Sequence, residues 1–179
     1  MTTRPVRIAP RSPDEWDAPT RAALAGASAV HLPAVVAQHA GLLPAYMAWA
    51  TTIARHGVLD GRAAGLLALR TALRCDSAFE WGVHTAHAPA RGLDAADIAR
   101  VAAGPDASGW SDRDAALVQA VDDLIDDHAI GEATWSALAR FFGTDELLEI
   151  VFVVGHYTML SMVANTAGVQ GEADWSGLP

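Results

Sequence analysis

Cysteine is almost missing from this sequence. Cys75 stands alone, so no internal disulfide can form and no cysteine-based zinc site can be built within one chain. Basic side chains are scarce too: 12 against 21 acidic ones, for a formal net charge of -9. A surface of that sign repels phosphate backbones, which argues against nucleic acid as a partner. Small anions remain open as ligands if an arginine such as Arg70 or Arg74 meets them. Runs of strand-favouring aromatic and β-branched residues are few. The most apolar stretch, Leu147 to Val154, is interrupted by Glu149 and soon followed by His156. It is too short to span a bilayer and reads as a buried helix. Met1 to Pro10 lacks the apolar segment of a signal peptide. A cytoplasmic location with no membrane partner is the resulting expectation.

What the chain does have is apolar residues, 51% of its 179, and much of that is alanine. This is enough for one domain with its own core, and it favours helix over strand. The expected fold is therefore an all-α bundle. A loose arm is expected over residues 1–11, the helical domain over 12–169 and a loose tail over 170–179.

Local signals divide the domain. Ser12-Pro13-Asp14-Glu15 reads as the capped start of a helix ended by Gly26. A helical region from Pro33 to His56 is expected to break at Gly41 and Pro44. Leu66, Leu69 and Leu73 recur at helical spacing within Arg62 to Arg74. Asp76 or Ser77 caps the next helix, which carries Phe79 to Ala88 and ends at Pro89 and Gly92. Asp94 caps a short helix, and Ser111-Asp112-Arg113-Asp114 opens another. Asp122, Asp123, Asp126 and Asp127 crowd its far end and read as a solvated terminus. Gly131 to Phe142 and Thr144 to Thr166 complete the set, with Gly168 as the final stop.

Chemistry concentrates in Cys75-Asp76-Ser77-Ala78-Phe79-Glu80-Trp81-Gly82-Val83-His84. Glu80 and His84 are one helical turn apart and share a face. A carboxylate beside an imidazole orients it and tunes its proton affinity. Such a pair can move protons on a bound substrate, although a surface Glu–His pair has the same spacing. His87 extends the face and offers a third ligand type, but there is no HExxH pattern and no metal is expected. Cys75 lies near a helix N-terminus, where a thiolate gains some stability, although a lone cysteine is more often a buried thiol. His156 sits in the most apolar helix with Tyr157 and Asn165, as hydrogen-bonded core or as pocket wall.

The segment from Leu66 to Ile98 resembles the carboxymuconolactone decarboxylase family, which includes the alkylhydroperoxidase D-like proteins. The likeness rests on Leu69-Arg70, Phe79-Glu80-Trp81-Gly82-Val83-His84, Ala90-Arg91-Gly92-Leu93 and Asp97-Ile98. Gly109-Trp110-Ser111 with Leu117 and Ala120-Val121 agrees with it. So does Leu147-Leu148-Glu149-Ile150-Val151 with Val154-Gly155-His156-Tyr157. It covers roughly residues 40 to 170. The resemblance implies an AhpD-like helical bundle that self-associates as a trimer, hexamer or dimer. It also implies either cofactor-free decarboxylation of unsaturated lactone acids or thiol peroxidase chemistry through a Cys-x-x-Cys pair followed by histidine. Ser77 and Glu80 occupy the two cysteine positions here, and Gly65 falls where the family carries a proton-relay glutamate.

The combined expectation is a cofactor-independent lyase or isomerase on a small organic acid or lactone. His84 is the expected general acid/base and Glu80 its orienting carboxylate. Arg70, Trp81 and His156 are the expected substrate contacts. A peroxidase using Cys75 with an external thiol, and a non-catalytic ligand-binding or scaffold oligomer, are the alternatives.

Overall fold

The computed structural model describes residues 4–25, 31–171, 175 and 177–179. Among these, the chain forms α-helices and two short 3-10 turns, with no strand. The helices are α1 (Ala18–Leu24), α2 (His31–Val36), α3 (Leu43–Arg55), α4 (Gly61–Arg74), α5 (Ala78–His87), α6 (Ala95–Ala103), α7 (Asp112–Asp126), α8 (Glu132–Leu138) and α9 (Thr144–Ala167). The all-α architecture expected from the sequence is what forms.

Helix α4 is the central strut. Asp60 starts it by accepting the Ala63 N–H at 2.8 Å. Its leucines and alanines face several directions at once, because α5, α6, α7 and α9 all pack on it. Leu66, Leu67, Leu69, Ala68 and Ala72 are fully buried. Burying a leucine contributes about 1.5–3 kcal/mol, so this helix holds much of the core.

Three arginines on α4 tie it to α7. Arg62 reaches Asp114 at 3.0 Å, Arg70 reaches Asp122 at 2.7 and 2.8 Å, and Arg74 reaches Asp126 at 2.6 Å. Every pair is separated by 52 residues, so the two helices run parallel and in register. Asp122 is buried and also takes Arg74 at 2.7 Å. The expectation of a solvated acidic end thus holds for Asp126 and Asp127, which are exposed, but not for Asp122. Asp123 likewise accepts from Gln119 and from the Gly131 N–H.

Other local expectations need correction. Ser12 to Glu15 makes only a 3-10 turn, because Trp16 is extended and Asp17 caps α1 separately. Gly26 lies outside the described residues. The expected loose arm is instead tied down: the Arg7 and Ile8 N–H groups donate to the Ala167 carbonyl at 2.8 and 3.1 Å. That carbonyl belongs to the last turn of α9 and has no partner within the helix. The tail also returns to the body, where Trp175 stacks on Phe79 with ring centroids 5.7 Å apart. Gly82 makes this possible, since a Cβ there would stand 2.7 Å from Trp175.

Helix α9 is long and apolar enough, by length and composition, to cross a membrane. Half of that apolar window is buried against the rest of this fold, which accounts for its composition as a core helix.

Candidate active site

Helix α5 brings Glu80 and His84 inward. Ser77 caps it, accepting the Glu80 N–H at 3.4 Å. Packed against α4 and α9, its Phe79, Glu80, Trp81 and His84 side chains are all buried. Glu80 retains 3% of its exposure and His84 retains 5%. The Nε2 atom of His84 stands 3.4 Å from Glu80 Oε2. That contact lacks hydrogen-bond alignment, and both ring nitrogens of His84 are buried without a hydrogen-bond partner.

The pair is surrounded by polar groups from three other elements. The Tyr157 ring of α9 meets His84 edge-on at 4.5 Å, and His156 lies 5.0 Å from Tyr157. From α3, the Trp49 indole donates to His156 Nδ1 at 3.0 Å. Tyr46, one turn earlier on α3, lies within the field of Glu80 and Tyr157. The 3-10 turn Pro89–Arg91 supplies Arg91, whose positive charge acts on the Tyr157 hydroxyl and pulls its pKa down against the effect of burial.

Burial dominates the electrostatics. It pushes the His84 pKa below 6.5, with Glu80 pulling it back up and the Arg91 and His87 charges pushing it further down. His156 is lowered by burial as well, against the pull of Glu80. Tyr46 and Tyr157 are both raised, chiefly by burial. At neutral pH the centre therefore holds neutral imidazoles and neutral phenols. A neutral histidine offers one donor and one acceptor.

The other sequence-derived candidates fall elsewhere. Arg70 is engaged by Asp122 and by the Val101 carbonyl at 2.8 Å, so its guanidinium is turned to α6 and α7. It is a structural arginine, not a contact of the Glu80–His84 centre. Trp81 is 2% exposed and belongs to the main hydrophobic core. His87 is exposed and donates from Nδ1 to the Val83 carbonyl at 2.7 Å. Cys75 is half-buried at the end of α4, beside Thr158 and Ser161, and burial pushes its thiol pKa up. Among the described residues no group of three or more His, Cys, Asp or Glu side chains is placed to hold a metal ion.

Sequence reasoning passed over Tyr46, Trp49 and Arg91 as site residues. Tyr46 and Trp49 carried a signal, being polar-tipped aromatics on one face of α3. Arg91 stood in the Ala90-Arg91-Gly92-Leu93 motif of the resemblance, but its reach toward the site depends on a glycine far away in the chain.

No family profile and no curated protein matches the chain. Solved structures do. The debrominase Bmp8, in a variant complexed with 2,3,4-tribromopyrrole, superposes with a TM-score of 0.78 over 96% of this chain and 95% of its own, at 10% identity. The AhpD-core, peroxidase-related protein from Ralstonia eutropha JMP134 gives 0.76 over 95% and 94%, at 16% identity. A peroxidase-related protein from Silicibacter sp. TM1040 gives 0.76 over 97% and 93%, also at 16% identity. The fold is AhpD-like.

Within this AhpD-like fold two positions stand out. The Cys-x-x-Cys positions of the resemblance are Ser77, spent on capping α5, and Glu80, buried beside His84. Gly65 faces the Arg91 turn so closely that a Cβ there would lie 2.7 Å from Leu93 Cδ1 and 3.2 Å from Arg91 Cδ.

Proposed function

We propose that this protein is a cofactor-independent acid–base enzyme, a lyase or isomerase acting on a small organic acid or lactone. One observation carries the reading. His84 is buried with two unpartnered ring nitrogens beside a buried carboxylate. Buried polar atoms are nearly always hydrogen-bonded, so such a ring suits a ligand that completes it. The lowered pKa keeps the imidazole neutral near pH 7, the form a general base needs.

In an isomerisation, His84 takes the proton from a carbon next to a carbonyl and returns it to another carbon of the conjugated system. In a decarboxylation, the bond to the carboxylate breaks and its electrons pass into the conjugated carbonyl. Carbon dioxide leaves, and the proton that replaces it comes from solvent, taken up by His84 next to Glu80 and passed on to the carbanion. Glu80 stabilises the imidazolium when it forms. His156 and Tyr157 close the space around the ring. The AhpD-like fold is compatible with chemistry on small rings, since the debrominase that shares it was crystallised with a tribromopyrrole.

The thiol-peroxidase alternative rests on Cys75, which has a raised pKa and contacts a different part of α9. The discriminating experiment assays turnover over a panel of unsaturated lactone acids and alkyl hydroperoxides. His84→Ala is expected to abolish turnover of the former, with Cys75→Ser near wild type. Full activity in His84→Ala, or peroxide turnover that depends on Cys75, overturns the assignment. Catalysis in neither panel, with tight binding of an apolar ligand, favours the non-catalytic alternative.

The working form is a cytoplasmic homo-oligomer assembled through α9. Leu148, Phe152, Met159 and Met162 are exposed there, with the exposed Gly155 between them. Their alternating spacing of four and three residues is that of a helix–helix seam.

A further inference from the structure

We propose that Arg91 is the anion-recognition residue of this site, so that the substrate enters as a carboxylate held beside His84. The proposal rests on the acid–base reading above and sharpens it to a substrate class.

All twelve basic side chains other than histidine are arginines. Those on or beside the central helices are committed to carboxylates: Arg62 to Asp97 and Asp114, Arg70 to Asp122, Arg74 to Asp122 and Asp126, Arg100 to Asp97, Arg113 to Asp60. Arg91 is partly buried and has no carboxylate within ion-pair distance among the described residues. Its charge acts on the neutral Tyr157 hydroxyl, which does not compensate it, and the Arg91 stem packs along α4 at Gly65. Tyr157 in turn touches His84.

The surroundings hold Arg91 in place. Its N–H donates to the Ala88 carbonyl at 3.0 Å, closing the 3-10 turn. The next carbonyl, that of Gly92, is gripped by Arg62 Nη1 at 3.0 Å, while Arg62 itself is locked on Asp97. Gly65 on α4 leaves room for the aliphatic stem of Arg91, where any side chain would collide with it and with Leu93. The bare α4 position and the inward arginine thus belong to one arrangement. A guanidinium pairs well with a carboxylate because its fork of donors matches two oxygens.

The test titrates the full-length protein with small conjugated carboxylates (sorbate, crotonate and cinnamate), each beside its neutral amide. Binding is read from the imidazole signals of His84 in heteronuclear NMR. At least one carboxylate is expected to shift those signals saturably, with its amide at least ten-fold weaker. Arg91→Gln should weaken the carboxylate at least ten-fold and leave the amide unchanged, and Arg91→Lys should recover part of the loss. Equal affinity of acid and amide, equal affinity in Arg91→Gln, or no saturable carboxylate binding overturns the proposal. Failure of the acid–base reading looks different: carboxylates still bind through Arg91, but His84→Ala retains turnover.

Discussion

The Trp49 indole N–H and the Nδ1 atom of His156 are 3.0 Å apart, joining α3 to the middle of α9. An indole only donates, so Nδ1 accepts and the neutral His156 ring carries its proton on Nε2. The same ring packs against Tyr157, which packs against His84. Trp49→Phe keeps the aromatic bulk but leaves that nitrogen without its donor. A cost of about 1–3 kcal/mol is expected, the usual penalty for an unmet buried acceptor. Nitrogen-15 spectra of the His156 ring should show loss of the single tautomer. An unchanged tautomer would mean that another group sets it.

Acid should weaken the fold through His84. Its pKa in the folded chain lies below the 6.5 of an exposed histidine. Below about pH 6.5 the unfolded chain takes up a proton that the native chain does not. The stability from neutral His84 is therefore complete above pH 6.5 and is lost as pH falls toward the folded value. Glu80 opposes the shift, while Arg91 and His87 reinforce it. His156 adds to the effect in the same direction. Urea midpoints from pH 7.5 to 5 should fall for the wild type. His84→Gln should flatten that slope by up to roughly 1.4 kcal/mol per pH unit. Parallel slopes would show that His84 titrates normally.

Asp122 should be among the most sensitive acidic positions. Asp122→Asn leaves Arg70 and Arg74 without the carboxylate they share. Breaking one side of a buried pair costs about 3–5 kcal/mol. The double variant Arg70→Met/Asp122→Leu removes both buried charges and should recover much of that loss. Chemical denaturation of the three proteins measures this, and a double variant worse than Asp122→Asn contradicts it.

Gly65→Ala should destabilise the protein by about 1–3 kcal/mol, the range for overpacking a filled core. The new methyl meets Leu93 Cδ1 at 2.7 Å, and Leu93 is 2% exposed with little room to yield. Shortening the obstacle with Leu93→Val in the Gly65→Ala background should restore part of the stability. Thermal melts of the single and double variants decide it.

Self-association through α9 predicts that charge on its exposed stripe dissolves the assembly. Met162 is 63% and Leu148 59% exposed in the single chain. Met162→Glu and Leu148→Glu should each lower the sedimentation mass at a given concentration, with little change in helicity. An assembly unaffected by both places the contact elsewhere.

Much of this architecture was legible in the residue order. Ser77, Asp94 and Ser111 each accept a backbone N–H at the start of a helix, where short polar side chains are expected to do so. The break between α2 and α3, and the stop at Gly168, were also marked by glycine and proline. These signals are local, and local geometry follows from a few neighbouring residues. The shared face of Glu80 and His84 was legible for the same reason, as helical spacing alone sets it.

Tertiary packing decided the rest, because distance along the chain does not reveal distance in space. Composition could not say whether Glu80 and His84 faced water; packing of α5 against α4 and α9 buries them. In the acidic run on α7, parallel packing against α4 sets Asp122 and Asp126 beside arginines at a constant offset, while Asp127 stays exposed as its charge suggests. Arg70 and Arg91 are the same residue type, yet one is spent on Asp122 and the other is free to meet His84's neighbour Tyr157. The sequence determined which residues could carry charge and which could form helices. Only the packing of those helices determined which charges were paired with a carboxylate and which were not.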